Sequence, residues 1–105
     1  MKDKNDFNSF RFSQVRNARN TEIAEDYTEM IADLTKETGE ARVVDLAENF
    51  GVTSPTVNSI IRRLVREGLV ESKPYRSIFL THKGKSLAQF CKRRHEIVYK
   101  FINSA

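Results

Sequence analysis

Arg42-Val43-Val44-Asp45-Leu46-Ala47-Glu48-Asn49-Phe50-Gly51-Val52-Thr53-Ser54-Pro55-Thr56-Val57-Asn58-Ser59-Ile60-Ile61-Arg62-Arg63-Leu64-Val65-Arg66 reads as two short helices joined by one tight turn. At 100° per residue, Val43, Leu46, Ala47 and Phe50 share one face of the first helix, and Val57, Ile60, Ile61, Leu64 and Val65 share one face of the second. Gly51 stands where the first helix must stop, because a glycine there takes the left-handed conformation without a Cβ clash. Thr53 or Ser54 then caps the next helix, and Pro55 is tolerated in a first turn whose N–H groups lack internal partners. This is helix-turn-helix spacing, in which the second helix of DNA-binding proteins enters the major groove.

The outward face of that second helix carries Ser54, Thr56, Asn58, Ser59, Arg62, Arg63 and Arg66. Short hydrogen-bonding residues come first and arginines follow. Recognition helices touch base edges mainly with their N-terminal residues, and cations further along reach phosphates. A solvated helical pair without a ligand would show the same face, so the neighbouring segments have to decide.

Downstream, Glu67-Gly68 ends the helix, and Leu69-Val70-Glu71 and Ile78-Phe79-Leu80 read as two short strands around Ser72–Ser77. A hairpin directly after a recognition helix makes a wing. Its tip holds Lys73, Tyr75 and Arg76, long donors suited to a phosphate backbone or a minor groove. The fold class expected is therefore mainly α (α+β): a winged helix-turn-helix over residues 13–82, including a long first helix.

Residues 1–12, polar with Phe7, Phe10 and Phe12 at no regular spacing, read as an arm. From Ser13 to Thr38 there is neither glycine nor proline, which predicts one long helix or a helix broken near Asn20–Thr21. Ile23, Tyr27, Met30, Ile31 and Leu34 form its apolar stripe. Beside the stripe, Glu22, Glu25, Asp26, Glu29, Asp33, Glu37 and Glu40 recur at steps of three and four. Like charges so placed repel, and only Lys36 gives local relief, so a basic segment or a metal ion is expected near part of this face. A last helix opens at Thr81-His82-Lys83-Gly84 and runs to about Asn103, its stripe made by Leu87, Cys91, Val98, Phe101 and Ile102. Arg94 falls within that stripe, where burial requires a carboxylate partner. His82 is expected at a cap or on the surface.

The charge is unevenly placed. Residues 1–40 hold six Lys/Arg against nine Asp/Glu, whereas residues 41–105 hold twelve against five, giving the chain a net charge of +4. The positive half is the half with the helix-turn-helix, an electrostatic footprint for a polyanion. No apolar run approaches the ~20 residues of a membrane span. A single cysteine excludes an internal disulfide and suits a reducing compartment, so a cytoplasmic location is expected. No nucleophile–base pair or phosphate-cradling glycine loop stands out, which argues against an enzyme.

Several segments together resemble the metal-dependent regulators of the diphtheria-toxin-repressor family, and within it the manganese transport regulator branch. They are Glu25-Asp26-Tyr27-Thr28-Glu29-Met30-Ile31, Gly39-Glu40-Ala41-Arg42-Val43-Val44-Asp45-Leu46-Ala47, Pro55-Thr56-Val57 before Arg63-Leu64, Pro74-Tyr75-Arg76-Ser77-Ile78-Phe79-Leu80-Thr81 and Arg94-His95-Glu96-Ile97-Val98. The likeness covers about residues 12–103. It implies a homodimeric winged-helix repressor of metal-uptake genes that binds a palindromic operator more tightly when Mn(II), or Fe(II) or another divalent transition metal, is bound. Carried over residue by residue, Asp26 and Glu29 match the first-helix ligands and His95 matches a histidine ligand of the fourth helix. Oxygen donors with one imidazole suit a hard divalent ion. The family continues into a helical domain that adds ligands and most of the dimer interface, and residues 83–105 would be the connecting helix that starts it. The sequence ends before that domain, which leaves open a fragment, a shortened member or a homologue without metal control.

Two classes of function follow. The first is a Mn(II)-responsive transcriptional regulator, with Ser54, Pro55, Thr56 and Asn58 at the bases and Arg62, Arg63, Arg66, Lys73, Tyr75 and Arg76 along the backbone of double-stranded DNA. The alternative is a metal-independent winged-helix protein-interaction module whose basic face meets an acidic partner.

Overall fold

The structure, a computed structural model, describes residues 4–73 and 77–103, with only the backbone described over 4–10. Among the described residues, four helices and one small antiparallel sheet follow in the order α1 (Lys4–Thr38), α2 (Val43–Phe50), α3 (Ser54–Arg66), β1 (Val70–Glu71), β2 (Phe79–Leu80) and α4 (His82–Asn103). Helix α1 is unbroken: Thr21, where an interruption was one expectation, turns its hydroxyl back onto the Asn17 carbonyl at 3.0 Å and stays helical. It also begins at Lys4, so most of the stretch expected as an arm is helix. Once a helix is nucleated, each further residue adds a hydrogen bond, and no Gly or Pro intervenes to stop it.

The helix-turn-helix closes as its residues dictate. Asp45 accepts a hydrogen bond from the Arg42 backbone N–H at 3.2 Å and so fixes the start of α2. Gly51 ends α2 in the left-handed region at φ 64°, and Val52 N–H reaches the Ala47 carbonyl at 3.1 Å. Of the two expected caps, Thr53 is the one used. Its hydroxyl accepts from Thr56 N–H at 3.4 Å and meets the Thr56 hydroxyl at 3.0 Å, with Pro55 in the first turn.

The wing strands are shorter than expected. Among the described residues, Val70↔Leu80 and Glu71↔Phe79 are the pairs of the ladder. Ile78 leaves that ladder to bridge Ala41, donating to its carbonyl at 2.8 Å, which ties the base of the wing to the segment before α2. Thr81 joins wing to helix. Its N–H donates to Leu69 O at 3.0 Å, its hydroxyl donates to Gly68 O at 2.6 Å, and that hydroxyl accepts from Gly84 N–H at 3.1 Å to cap α4. His82 is thus an exposed first-turn residue and not the cap.

One core holds these elements. Ile31, Leu46, Val57, Leu64 and Ile78 are the largest fully buried aliphatic side chains, and Tyr27 of α1 stacks on Phe50 of α2 with ring centroids 4.2 Å apart. Among the described residues, the buried positions of α4 lie in its first half. Ala88 and Cys91 are buried, whereas Val98, Phe101 and Ile102, expected in the same stripe, are exposed.

Candidate DNA interface and metal-ligand cluster

The N-terminal turns of α3 are presented to solvent. Ser54, Pro55, Thr56 and Asn58 are all exposed, held in place by the buried Val57 and Ile61 between and after them. Along one flank of α3, Asn58, Ile61, Arg62 and Val65 form a wall of an open groove of about 910 Å³. Its other walls come from Arg42, Val43 and Val44 at the start of α2 and from Ser72, Lys73, Ser77 and Phe79 of the wing. Arg42, Arg62 and Lys73 make this groove cationic. Its one acid, Glu40, is already engaged, accepting from the Ser77 hydroxyl at 2.7 Å and pairing with Arg42 at 2.7 Å. The Ser77 hydrogen bond, against the opposing pull of burial and with help from Arg42, holds the Glu40 carboxyl below its ordinary range. Arg66 is exposed at the end of α3. Tyr75 and Arg76, expected at the wing tip, lie outside the described residues.

Arg63 departs from the sequence expectation. Adjacent residues on a helix project 100° apart, so Arg62 and Arg63 leave α3 on opposite flanks: Arg62 into the groove, Arg63 towards α1. Arg63 Nη1 donates to Asn20 Oδ1 at 2.7 Å, Nη2 donates to the Asn20 carbonyl at 2.8 Å, and Nε meets Glu67 at 3.2 Å. Its guanidinium is spent on holding α3 to α1, and in this arrangement it is not offered to a phosphate. The Asn20 partner could not be found from sequence, since nothing marks one polar residue among many on α1.

The acidic face of α1 meets basic side chains on α4. Glu25 pairs with Arg94, Glu29 with His95, and Asp33 with Lys92 at 3.7 Å. Of the two sources expected for this charge, a basic segment or a metal ion, the segment is present in the fold itself. His95 Nδ1 lies 3.2 Å from both carboxylate oxygens of Glu29. Glu25 accepts from the Arg94 guanidinium and also from the thiol of buried Cys91, 3.3 Å away. Burial first, then the hydrogen bond to Glu25, pushes the Cys91 thiol up to about 11. For Glu25 itself, burial raises the carboxyl, but the Arg94 and Cys91 hydrogen bonds and the nearby positive charges outweigh it and the net shift is downward. A depressed carboxylate adds stability above its unfolded pKa and loses it as pH falls through the folded value. Urea unfolding of the wild type and Glu25→Gln is therefore expected to show a gap at neutral pH that closes in acid. A gap independent of pH would show that the pair contributes nothing through its charge.

The donor set fits a hard divalent cation in part. A carboxylate and an imidazole, Glu29 and His95, already face each other across α1 and α4. Asp26 is exposed on α1, one residue from Glu25, and no close contact joins it to them. Among the described residues no three His, Cys, Asp or Glu side chains converge tightly enough to hold an ion.

Residues 20–78, the helix-turn-helix with the second half of α1 and most of the wing, match the family described as iron dependent repressor, N-terminal DNA binding domain. The chain belongs to that family. The transcriptional regulator MntR of Escherichia coli O6:H1 is 48% identical over 91 residues, covering 87% of this chain and 59% of the relative. The HTH-type transcriptional regulator MntR of Bacillus subtilis is 35% identical over 82 residues, covering 78% of this chain and 58% of the relative. The chain thus spans somewhat under two thirds of the length of these curated relatives. Among solved structures, the manganese regulator SloR superposes with a TM-score of 0.54 at 31% identity, over 62% of this chain and 30% of that one. Ligand-free NadR gives a TM-score of 0.61 over 92% of this chain and 80% of that one. At 24% identity its likeness concerns the winged-helix fold alone. These family members are regulators and not enzymes, and the basic groove found here belongs to the DNA-binding domain of a repressor family.

Proposed function

We propose that the chain is a sequence-specific, metal-responsive transcriptional repressor of metal-uptake genes, acting in the cytoplasm on double-stranded DNA. The observation that carries the reading is the groove between α3 and the wing. An exposed polar helix tip stands beside it, and Arg42, Arg62 and Lys73 line it. Ser54, Pro55, Thr56 and Asn58 meet base edges in the major groove, while Arg62, Arg66 and Lys73, continued by Tyr75 and Arg76, follow the backbone. A homodimer on a palindromic operator would set two recognition helices about 34 Å apart, one turn of B-DNA.

Mn(II) is the metal favoured, with Fe(II) or another divalent transition ion as alternatives, by the carboxylate and imidazole donors of the α1–α4 junction. Glu29, His95 and Asp26 would hold it, and when bound it supplies positive charge between the two helices. Glu29 and His95 do the positioning: each reaches from its own helix to the same point, so anything that tightens their contact fixes α4 against α1. A ligand shifts such an equilibrium only by binding the competent arrangement more tightly.

Two measurements test the DNA part. Arg62→Gln is expected to reduce the slope of log K against log salt by about one phosphate contact. Asn58→Ala is expected to lose about 1–3 kcal/mol of discrimination at one base pair and to leave the salt slope unchanged. Equal affinity for an operator and a scrambled duplex would favour the protein-interaction alternative. For the metal, His95→Ala is expected to weaken Mn(II) binding by at least about tenfold, the lower end of what losing even an outer-shell partner costs. Asp26→Ala should act in the same direction if Asp26 closes on the ion. Identical weak titrations for wild type and both variants would remove the site from this junction.

A further inference from the structure

Among the described residues the groove between α3 and the wing is lined by the cations Arg42, Arg62 and Lys73 and the acid Glu40, and these cations are not equivalent. Neither Arg62 nor Lys73 has an acidic partner among the described residues, whereas Arg42 is paired with Glu40 at 2.7 Å. Glu40 sits in the short link between α1 and α2, and its two carboxylate oxygens serve different elements. Oε1 takes the Arg42 guanidinium, and Oε2 accepts from the Ser77 hydroxyl at 2.7 Å, at the base of the wing. Beside this contact the Ala41 carbonyl accepts from Ile78 N–H at 2.8 Å, so side chain and backbone tie the same two segments together. The Arg42 and Glu40 side chains are 62% and 42% exposed, which leaves the pair open to whatever enters the groove.

An exposed ion pair adds little to stability, and a carboxylate in a groove that receives phosphates repels its ligand. We propose that Glu40 is a positioning residue that withholds Arg42 from the DNA backbone and so limits the sequence-independent part of binding. The inference rests on the DNA reading above. A cation already neutralised by a carboxylate releases no counterion from DNA. Ser77 makes the restraint hold. Its hydrogen bond pins the carboxylate, so a phosphate that drew Arg42 away would itself face the bare charge of Glu40. Arg62 and Lys73 are left to meet phosphates in the groove, and a larger share of binding falls to the exposed polar tip of α3, where base edges are read.

Salt dependence separates this role from a merely structural one. With the full chain and a random-sequence DNA duplex, Glu40→Gln should steepen the fall of log K against log salt by about one phosphate contact. Between about 200 and about 50 mM salt that is a gain of about 3.5-fold over the gain of the wild type. The glutamine keeps the side-chain volume and can still accept from Ser77, but it cannot cancel a guanidinium. Glu40→Gln combined with Arg42→Gln puts a neutral pair in place of a charged one and should return the slope to that of the wild type. Glu40→Ala, in which the Ala41–Ile78 bridge still holds the wing, should also steepen the slope and serves if Glu40→Gln fails to fold. If Arg42 already met a phosphate in the wild type, Glu40→Gln would leave the slope where it was and the double variant would lower it. That result would overturn the proposal while leaving the DNA interface standing. Failure of the folded wild type to bind the duplex at the lower salt would bring down the DNA reading and this inference together.

Discussion

Gly84→Ala is expected to lower the stability of the protein by about 3 kcal/mol or more, beyond the upper end of ordinary overpacking. Gly84 lies buried in the first turn of α4, where that helix crosses the chain entering β1. A Cβ built on it would sit 2.0 Å from the Leu69 carbonyl oxygen and 3.2 Å from Leu80 Cδ2. The leucine side chain can shift, but the carbonyl cannot move alone, because it accepts the Thr81 N–H at 3.0 Å and belongs to the joint between wing and helix. Relief requires α4 and the wing to part. At about 4–8 °C per kcal/mol for a domain near this size, the midpoint of thermal unfolding should fall by more than roughly 12 °C. A variant within about 0.5 kcal/mol of wild type, the ordinary range for an unimportant surface change, would show that helix and wing are not in close contact there.

Arg63→Ala should be the second large effect, and it separates two readings of one arginine. The guanidinium makes three polar contacts, two of them at 2.7 and 2.8 Å to Asn20, and its side chain is only 23% exposed. Hydrogen bonds to charged groups contribute about 1.5–3 kcal/mol each when sheltered. Partial exposure and the new freedom of Asn20 to bond water reduce the sum, so a loss of about 2 kcal/mol is expected in urea unfolding. DNA affinity should drop for every sequence through misplacement of α3, with the salt slope unchanged. Arg62→Gln should do the reverse, lowering the slope with stability held. A normal midpoint together with a reduced slope in Arg63→Ala would return Arg63 to the phosphate backbone.

That pair of neighbours marks how far the sequence could be read. The periods of α2 and α3, the left-handed Gly51 and the hairpin after Gly68 are local, set by side-chain spacing and backbone conformation over a few residues, and they stand in the structure as expected. Which flank of α3 turns towards α1 depends on tertiary packing, and three arginines close together gave no hint that one of them is structural. The repulsion among the acids of α1 was legible and demanded a cation. That the answer lay in Lys92 and Arg94, with His95 beside them and their partners roughly sixty to seventy residues back in the chain, was not legible, because spacing within one helix says nothing of what crosses it. Arg94 itself followed the rule that an arginine on an apolar face needs a carboxylate, and the fold names Glu25. The groove walls contributed by Arg42, Val44 and Phe79 were missed for a similar reason: the segment before α2 meets the wing through long-range contacts, the bridge between Ala41 and Ile78 and the hydrogen bond from Ser77 to Glu40.

Because α1 runs without a kink, Asn20 and Glu29 ride on one stiff rod, separated along its axis by roughly 14 Å at 1.5 Å per residue. One of them is the handhold of α3 and the other faces α4. Levers of this kind convert small tilts into displacements proportional to arm length, so a few degrees imposed at the histidine end shift the arginine's grip by about an ångström. A shift of that size is the same order as the tolerance of a hydrogen bond to a base edge.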